Sequence, residues 1–343
     1  MACGLISPPT VGTRRMKQRR SNRLVHYAND MAEAALQRTL KTSIHCTGVG
    51  VHSGRKTSLR LLPAPVNSGI NFIRTDVSDL DNVIPALWDN VTDTQLCTVV
   101  TNDAGISVST VEHIMAALRG CGIDNVTIEL DGPEVPIMDG SAEPFVFLID
   151  CAGIETQAQP RDVIKILKPI EYVEDGKHAR LLPSDSTEFC FDIDFAPRLD
   201  VQQRYEISLD CPNFKRHISR ARTFGFLEDV DKLRAMGLAR GGSLDNAVVI
   251  SGTKILNKGG LRYTDELVRH KVLDAVGDLY LAGAPIVGRY EGYRAGHALN
   301  NQLLHALFAD PTAWIRTSTV DDGMDAVAAD LSQWQDQAAA RIA

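Results

Sequence analysis

Several absences narrow the reading of this 343-residue chain before any motif is considered. No apolar run approaches the roughly 18 residues of a membrane-spanning helix, and the longest, such as residues 279–288, are far too short. No Cys-x-x-Cys pair occurs among the seven cysteines, an odd and scattered set that points to a reduced, cytoplasmic chain. A basic excess is missing as well: the net charge of -7 argues against a general nucleic-acid binder, which needs a cationic face to displace counterions. Acids are absent before Asp30, while Arg14, Arg15, Lys17, Arg19, Arg20 and Arg23 crowd the same stretch. Residues 1–35 therefore read as a basic, disordered extension. The alternatives are an organelle transit peptide and a start placed ahead of Met31.

What remains is ordinary globular material, 44% hydrophobic and 23% charged, enough for roughly two domains. Residues 36–157 alternate β-branched strands with a helix. Gln157-Ala158-Gln159-Pro160-Arg161 reads as a linker, a second α/β pattern fills 163–310, and 311–343 reads as a tail with a peripheral helix over 325–342. A short internal echo lays Val111–Leu118 over Val268–Ala275 and places His113 over His270, as two related halves facing a shared cleft would. In the first of these segments Val111, Ile114, Met115 and Leu118 form one apolar face. Ser109 and Glu112 have capping-box spacing, which predicts a helix beginning at Ser109 with Glu112 and His113 pointing outward from its first turn. In the second, Val268, Val272, Ala275, Val276 and Leu279 form the apolar arc, and His270, Asp274 and Asp278 recur every fourth residue on the other side. A shorter amphipathic helix is predicted from Leu227, Val230, Leu233 and Met236, ending at Gly237.

Each polar candidate has an ordinary explanation when taken alone. Glu112 could serve a helix cap, His113 could be a polar first-turn residue, His270 and Asp274 a minor ion pair, and His297 a turn histidine. Their joint occurrence carries more. Two imidazoles and a carboxylate make a three-ligand zinc site with an open fourth position. A glutamate beside a ligand can take a proton from water, and His297 is left over as a further acid or base. No His-Glu-x-x-His element is present, which counts against the common zinc peptidase type. Another zinc hydrolase, or an inactive nucleotide-sugar or acyl-chain binding protein, remains the alternative at this point. Binding alone would need neither Glu112 nor His297.

Thr47-Gly48-Val49-Gly50-Val51-His52-Ser53-Gly54, Ser109-Thr110-Val111-Glu112-His113, Pro136-Ile137-Met138-Asp139-Gly140-Ser141, Ser219-Arg220-Ala221-Arg222-Thr223-Phe224-Gly225, Val268-Arg269-His270-Lys271 and Gly296-His297-Ala298-Leu299-Asn300-Asn301 stand in this order. In these segments the chain resembles the UDP-3-O-acyl-N-acetylglucosamine deacetylases of lipid A synthesis, from about Gln37 to about Leu304. The resemblance implies an α+β fold of two pseudo-symmetric domains. Each is a β-sheet layered with helices and carries one small insert, and the helices pack at the domain interface. It implies Zn²⁺ on His113, His270 and Asp274, Glu112 as general base, and His297 as general acid held protonated by Asp278. Thr223 matches a residue that helps hold the oxyanion, and Lys271 one that faces the substrate's diphosphate. Asp194 and Phe195 fall where uridine would lie. Phe226, Leu227, Val230 and Leu233, with Leu244 and Ala247, fall along the passage for the acyl chain, and Phe224 is a further substrate-binding residue. The implied substrate is acylated UDP-N-acetylglucosamine, with no nucleic acid, membrane span or obligate protein partner. Gln95 and Ala239 depart from relatives in or near that passage and bear on acyl-chain preference. Cys97 lies close to the site and is read as an inert free thiol.

Overall fold

The computed structural model describes residues 36–318. The basic leader and the helix expected over 325–342 lie outside the described residues. Five α-helices frame the functional region: α1 (Glu112–Cys121), α2 (Glu143–Ala152), α3 (Val230–Ala235), α4 (Glu266–Tyr280) and α5 (His297–Ala309).

The chain builds the same α+β unit twice. First come the antiparallel hairpin Ile44–Val49/Lys56–Pro63, the strand Ile70–Arg74, a small three-stranded sheet (Val91–Asp93, Val99–Thr101, Ser107–Ser109), α1, the strand Val126–Leu130 and α2. Val126–Leu130 lies antiparallel to Lys56–Pro63 on one side and parallel to Ile70–Arg74 on the other. The second pass repeats this. It has the hairpin Ile170–Glu174/Lys177–Leu182, the strand Thr187–Asp194, a small sheet (Phe224–Phe226, Val248–Ser251, Lys254–Ile255), α4, the strand Ile286–Tyr293 and α5. Ile286–Tyr293 again lies antiparallel to its hairpin strand, Lys177–Leu182, and parallel to the next strand, Thr187–Asp194, and its first residues also pair parallel with Asp162–Ile166. Strand sequences such as Lys56–Pro63 alternate exposed and buried positions, so one sheet face meets the core and the other meets water.

Two boundaries differ from those read in the sequence. The segment taken for a linker belongs to the strand Ile154–Pro160, which pairs antiparallel with Leu36–Leu40. Polar composition hid it, because its partner lies far away in sequence, Leu40 opposite Ile154, and its burial is slight. The supposed tail also begins inside the fold: Trp314–Ser318 pairs with Asp162–Ile166 at the edge of the second sheet. No helix among the described residues is long and apolar enough to cross a membrane.

The two halves meet through α1 and α4, which pack closely against each other. Almost every residue of α4 is buried, polar positions included, since the helix has neighbours on all sides. Gly277 allows the close approach. A Cβ there would lie 2.0 Å from the Glu112 carbonyl oxygen and 3.1 Å from the Ala116 nitrogen, both backbone atoms that cannot swing aside. Gly277→Ala is therefore expected to push the helices apart and destabilise the fold by about 1–3 kcal/mol, the usual cost of overpacking. Gly259→Ala, where no described residue other than its chain neighbours lies within 4 Å of the added carbon, is the control that should melt like the wild type. Equal melting temperatures for the two variants would show that the α1–α4 contact yields.

Candidate metal centre and its acid–base pair

The start of α1 is set by a backbone kink rather than by a capping box. Thr110 sits at φ +60°, an unusual conformation for a β-branched residue, and turns the chain from the strand Ser107–Ser109 into the helix. Its hydroxyl donates to the buried carboxylate of Glu134 at 3.1 Å, and the same carboxylate accepts the His52 and Ser53 N–H groups. The helix starts at Glu112 with no side-chain cap, and the Ser109 hydroxyl donates instead to the Pro133 carbonyl. The capping role read for Glu112 is thus ruled out. Its side chain, with that of His113, is buried against α4 and does not point out to solvent. Gly122, in the left-handed region, closes the other end of α1, donating to the Arg119 and Leu118 carbonyls.

His113 from α1 and His270 and Asp274 from α4 converge. Their candidate ligand atoms all lie within 4.8 Å of one another, and all three residues are buried. The Asp274 Oδ1 atom is 3.2 Å from His270 Nε2 and 3.7 Å from His113 Nε2. His270 Nδ1 lies 3.1 Å from the Ala221 carbonyl, which can only accept, so Nδ1 carries the proton. Burial pushes His270 down to about 4, which leaves the ring neutral with a bare Nε2 lone pair. That lone pair faces a carboxylate oxygen: two acceptors meet with no proton between them, an arrangement a bound cation resolves. His113 Nδ1 is buried without a hydrogen-bond partner, and Nε2 is the ring atom that faces Asp274. The two separations from Asp274 Oδ1 bracket the roughly 3.4 Å between ligand atoms of a tetrahedral ion bound at about 2.0–2.1 Å. These residues could hold a metal ion.

Lys271 donates from Nζ to Asp274 Oδ2 at 2.7 Å, which occupies one carboxylate oxygen and leaves the other for the histidines. Burial opposes charge on Asp274, but His270 and Lys271 overcome it and hold the carboxyl well below the usual carboxylate range.

Beside this group stand two further polar side chains. Glu112 Oε1 is 3.9 Å from His297 Nε2, and Glu112 Oε2 accepts the Thr98 N–H at 3.0 Å. Burial raises Glu112 above the usual carboxylate range, against the pull of His297 and His113. His297 opens α5, and its Nδ1 donates to Asp278 Oδ2 at 2.9 Å. Burial alone would lower its pKa; Asp278 and Glu112 reverse that and raise it to about 9. Asp278 also accepts from Asn300 Nδ2 at 2.8 Å and from the Thr98 hydroxyl at 2.7 Å, and the Tyr290 hydroxyl donates to Asn300 Oδ1. Cys97, next to Thr98, is buried and free, and burial pushes its thiol up, away from reactivity.

The segment 221–226 runs outward from His270. Ala221 accepts from the imidazole, and the Phe224 ring stands edge-on to it with centroids 6.1 Å apart. Thr223 lies between them, its N–H donating to Gly140 and its carbonyl accepting from Val248. Phe195 packs edge-on against both Phe224 and Phe226, which brings the Asp194-Phe195 segment to the same small sheet. Asp194 itself accepts the Ala196 N–H. Beyond Phe226 the helix α3 forms where the periodicity predicts and ends before Gly237 at φ +84°. Leu227, Met236 and Leu244 are exposed and Val230 is only half-buried, so this element is not packed core. Asn257 braces the loop beside it by donating to the Leu244 and Ala247 carbonyls. Ala239, at φ +52°, donates from N–H to His52 Nδ1 at 3.4 Å, so this insert touches the 50–54 loop of the first half; Gln95 is exposed.

Several supporting residues carried no signal strong enough to single out. Glu266 is fully buried and accepts the Arg222 side chain and the Arg222 and Arg262 N–H groups, fixing the approach to Thr223. Thr98, Tyr290 and Glu134 acquire their roles only through folding. Asn300 stands in the segment Gly296–Asn301, and its part there, donating to Asp278, appears only in the fold.

A metal-capable His-His-Asp group next to a buried carboxylate–imidazole pair, set between two repeated α+β halves, is an arrangement suited to hydrolysis. Comparison with known proteins narrows the class. The family model described as UDP-3-O-acyl N-acetylglycosamine deacetylase (LpxC) matches residues 37–309. The chain is 52% identical over 288 residues to the UDP-3-O-acyl-N-acetylglucosamine deacetylase of Chromohalobacter salexigens, covering 83% of this chain and 94% of that protein. It is 51% identical over 291 residues to the protein of the same name from Phenylobacterium zucineum, covering 85% and 99%. A third, from Shewanella baltica, is 52% identical over 281 residues, covering 81% and 91%. The chain belongs to the UDP-3-O-acyl-N-acetylglucosamine deacetylase family.

Proposed function

We propose that this protein is a zinc-dependent amidohydrolase. It removes the N-acetyl group from UDP-3-O-(3-hydroxyacyl)-N-acetylglucosamine, giving the free amine and acetate, in lipid A biosynthesis in the cytoplasm. The observation that carries the reading is the placement of Glu112 and His297, 3.9 Å apart, beside the His113–His270–Asp274 group. Two imidazoles, one carboxylate and an open position are the donor set of catalytic zinc. Zinc held there would act as a Lewis acid and lower the pKa of a bound water from about 15.7 toward 7.

The protein's own groups supply the rest. Glu112, fixed through one oxygen by the Thr98 N–H, accepts the proton of the attacking water with the other. His297, kept cationic by Asp278, delivers a proton to the departing nitrogen; without it the tetrahedral intermediate would expel the water oxygen and return to substrate. Thr223, anchored at both its N–H and its carbonyl, contributes to the oxyanion site. Lys271, beside Asp274, is assigned to the diphosphate side. Asp194 and Phe195 are assigned to uridine. Phe226, Leu227, Val230, Leu233, Leu244 and Ala247 are assigned to the acyl chain, supported by the exposure of Leu227 and Leu244, and Phe224 to substrate binding.

Incubation with the acylated UDP-sugar should release acetate, a chelator should stop it, and zinc added near stoichiometry should restore it. Substrate lacking the 3-O-acyl chain should react at least about tenfold more slowly, since each buried methylene is worth roughly 0.8 kcal/mol toward positioning the acetyl group. No acetate from the metal-loaded protein would overturn the assignment.

A further inference from the structure

We propose that Thr98 is a positioning residue that couples the carboxylate of Glu112 to that of Asp278, and so holds the proton acceptor and the proton donor in register across the two halves. This inference rests on the deacetylase reading above. Thr98 immediately precedes Val99–Thr101, the central strand of the small sheet of the first half, and is buried. All three of its polar groups are used on the site. Its N–H donates to Glu112 Oε2 at 3.0 Å, and its hydroxyl donates to Asp278 Oδ1 at 2.7 Å. Its carbonyl accepts from the N–H of Val111, the residue before α1, at 3.3 Å.

The bonding pattern divides each carboxylate in the same way. Glu112 spends Oε2 on Thr98 and turns Oε1 toward His297. Asp278 spends Oδ1 on Thr98 and turns Oδ2 toward His297 and Asn300. The α1–α4 contact at Gly277 sets the distance between the helices, but the terminal torsion of a carboxylate is broad and soft and is not fixed by helix packing. Thr98 removes that freedom on both sides of His297 at once. The polarity of its second bond is forced: an ionised carboxylate can only accept, so the hydroxyl must donate, and such charge-assisted bonds are the strong ones. Proton transfer tolerates misplacement of roughly 0.5 Å or 10–20° and no more, so loss of this clamp falls on turnover rather than on substrate binding.

Thr98→Val keeps the backbone groups and the branched shape and removes only the hydroxyl; Thr98→Ser keeps the hydroxyl. The valine variant should lose about tenfold or more in kcat with KM changed less than about threefold and metal content unchanged, the signature of lost positioning. The serine variant should recover most of that loss. A second readout needs no turnover: the low-field proton resonance of His297 Nδ1–H should move or broaden in the valine variant and return in the serine variant. Wild-type acetate release tests the deacetylase reading, while the comparison of variants and the resonance test Thr98. Wild-type kcat together with an unmoved resonance in Thr98→Val would overturn the inference, as would a serine variant no better than valine. If valine lowers the melting temperature enough to cost folded protein, Thr98→Ala against Thr98→Ser makes the same comparison.

Discussion

His270→Ala is expected to yield protein with far less than one metal ion per chain and no measurable deacetylation. His270 brings its lone pair to within 3.2 Å of Asp274 Oδ1 because the Ala221 carbonyl pins its other nitrogen. Removing the ring takes away one of three ligands and leaves His113 and Asp274 with two, too few for a catalytic zinc. The fold should persist. Lys271 stays on Asp274 to balance its charge, and the lost ring vacates space beside Phe224 on a helix rather than in the centre of a sheet. Elemental analysis and circular dichroism on the same sample check both halves of the expectation. Zinc content equal to that of the wild type would remove His270 from the centre, whatever happened to activity. Titration should stay near one equivalent, since excess zinc can occupy the water's position and inhibit.

How much of this was legible in the chain depends on how local each signal is. The His270–Asp274 pair and Asp278 could be read directly, because residues four apart on a helix share a face and α4 is regular over its whole length. The repeat of the two halves showed only as the short echo around His113 and His270. The rest of the symmetry lies in strand pairing, which composition does not report. Glu112 was misread locally and is clearer in three dimensions: spacing from Ser109 suggested a cap, but the kink at Thr110 shortens the helix and the tertiary fold gives the carboxylate a different donor. The strand Ile154–Pro160 was lost for the opposite reason, since its polar sequence pairs with a segment far away in the chain. Thr98 gave no signal at all. A threonine ahead of a strand is ordinary, and its role exists only once residues 14 and 180 positions away arrive beside it.

The pH behaviour of Glu112 and His297 separates a catalytic pair from two buried polar residues. Glu112→Gln and His297→Ala should each lower kcat on the order of 10²–10⁴-fold with modest changes in substrate affinity, the usual range for loss of a general base or acid. In metal-free wild-type protein His297 should titrate near 9, because Asp278 and Glu112 stabilise its cation more than burial penalises it. As an acid it works only when protonated, so activity must fall as pH rises through its pKa. Glu112 works only when ionised, and burial raises its pKa, so the acid limb should stand above the ordinary carboxylate range. A divalent cation in the His113–His270–Asp274 group favours the deprotonated form of both neighbours. Metal loading should therefore move both limbs to lower pH while keeping their order, giving a bell whose alkaline limb lies below 9. Histidine resonances across a pH series give the metal-free value, and kcat profiles give the loaded one. In His297→Ala the alkaline limb should disappear while metal content stays intact, since His297 is not among the three ligands. An unchanged alkaline limb in that variant would assign the acid to another group, and near-normal turnover in Glu112→Gln would place the base elsewhere.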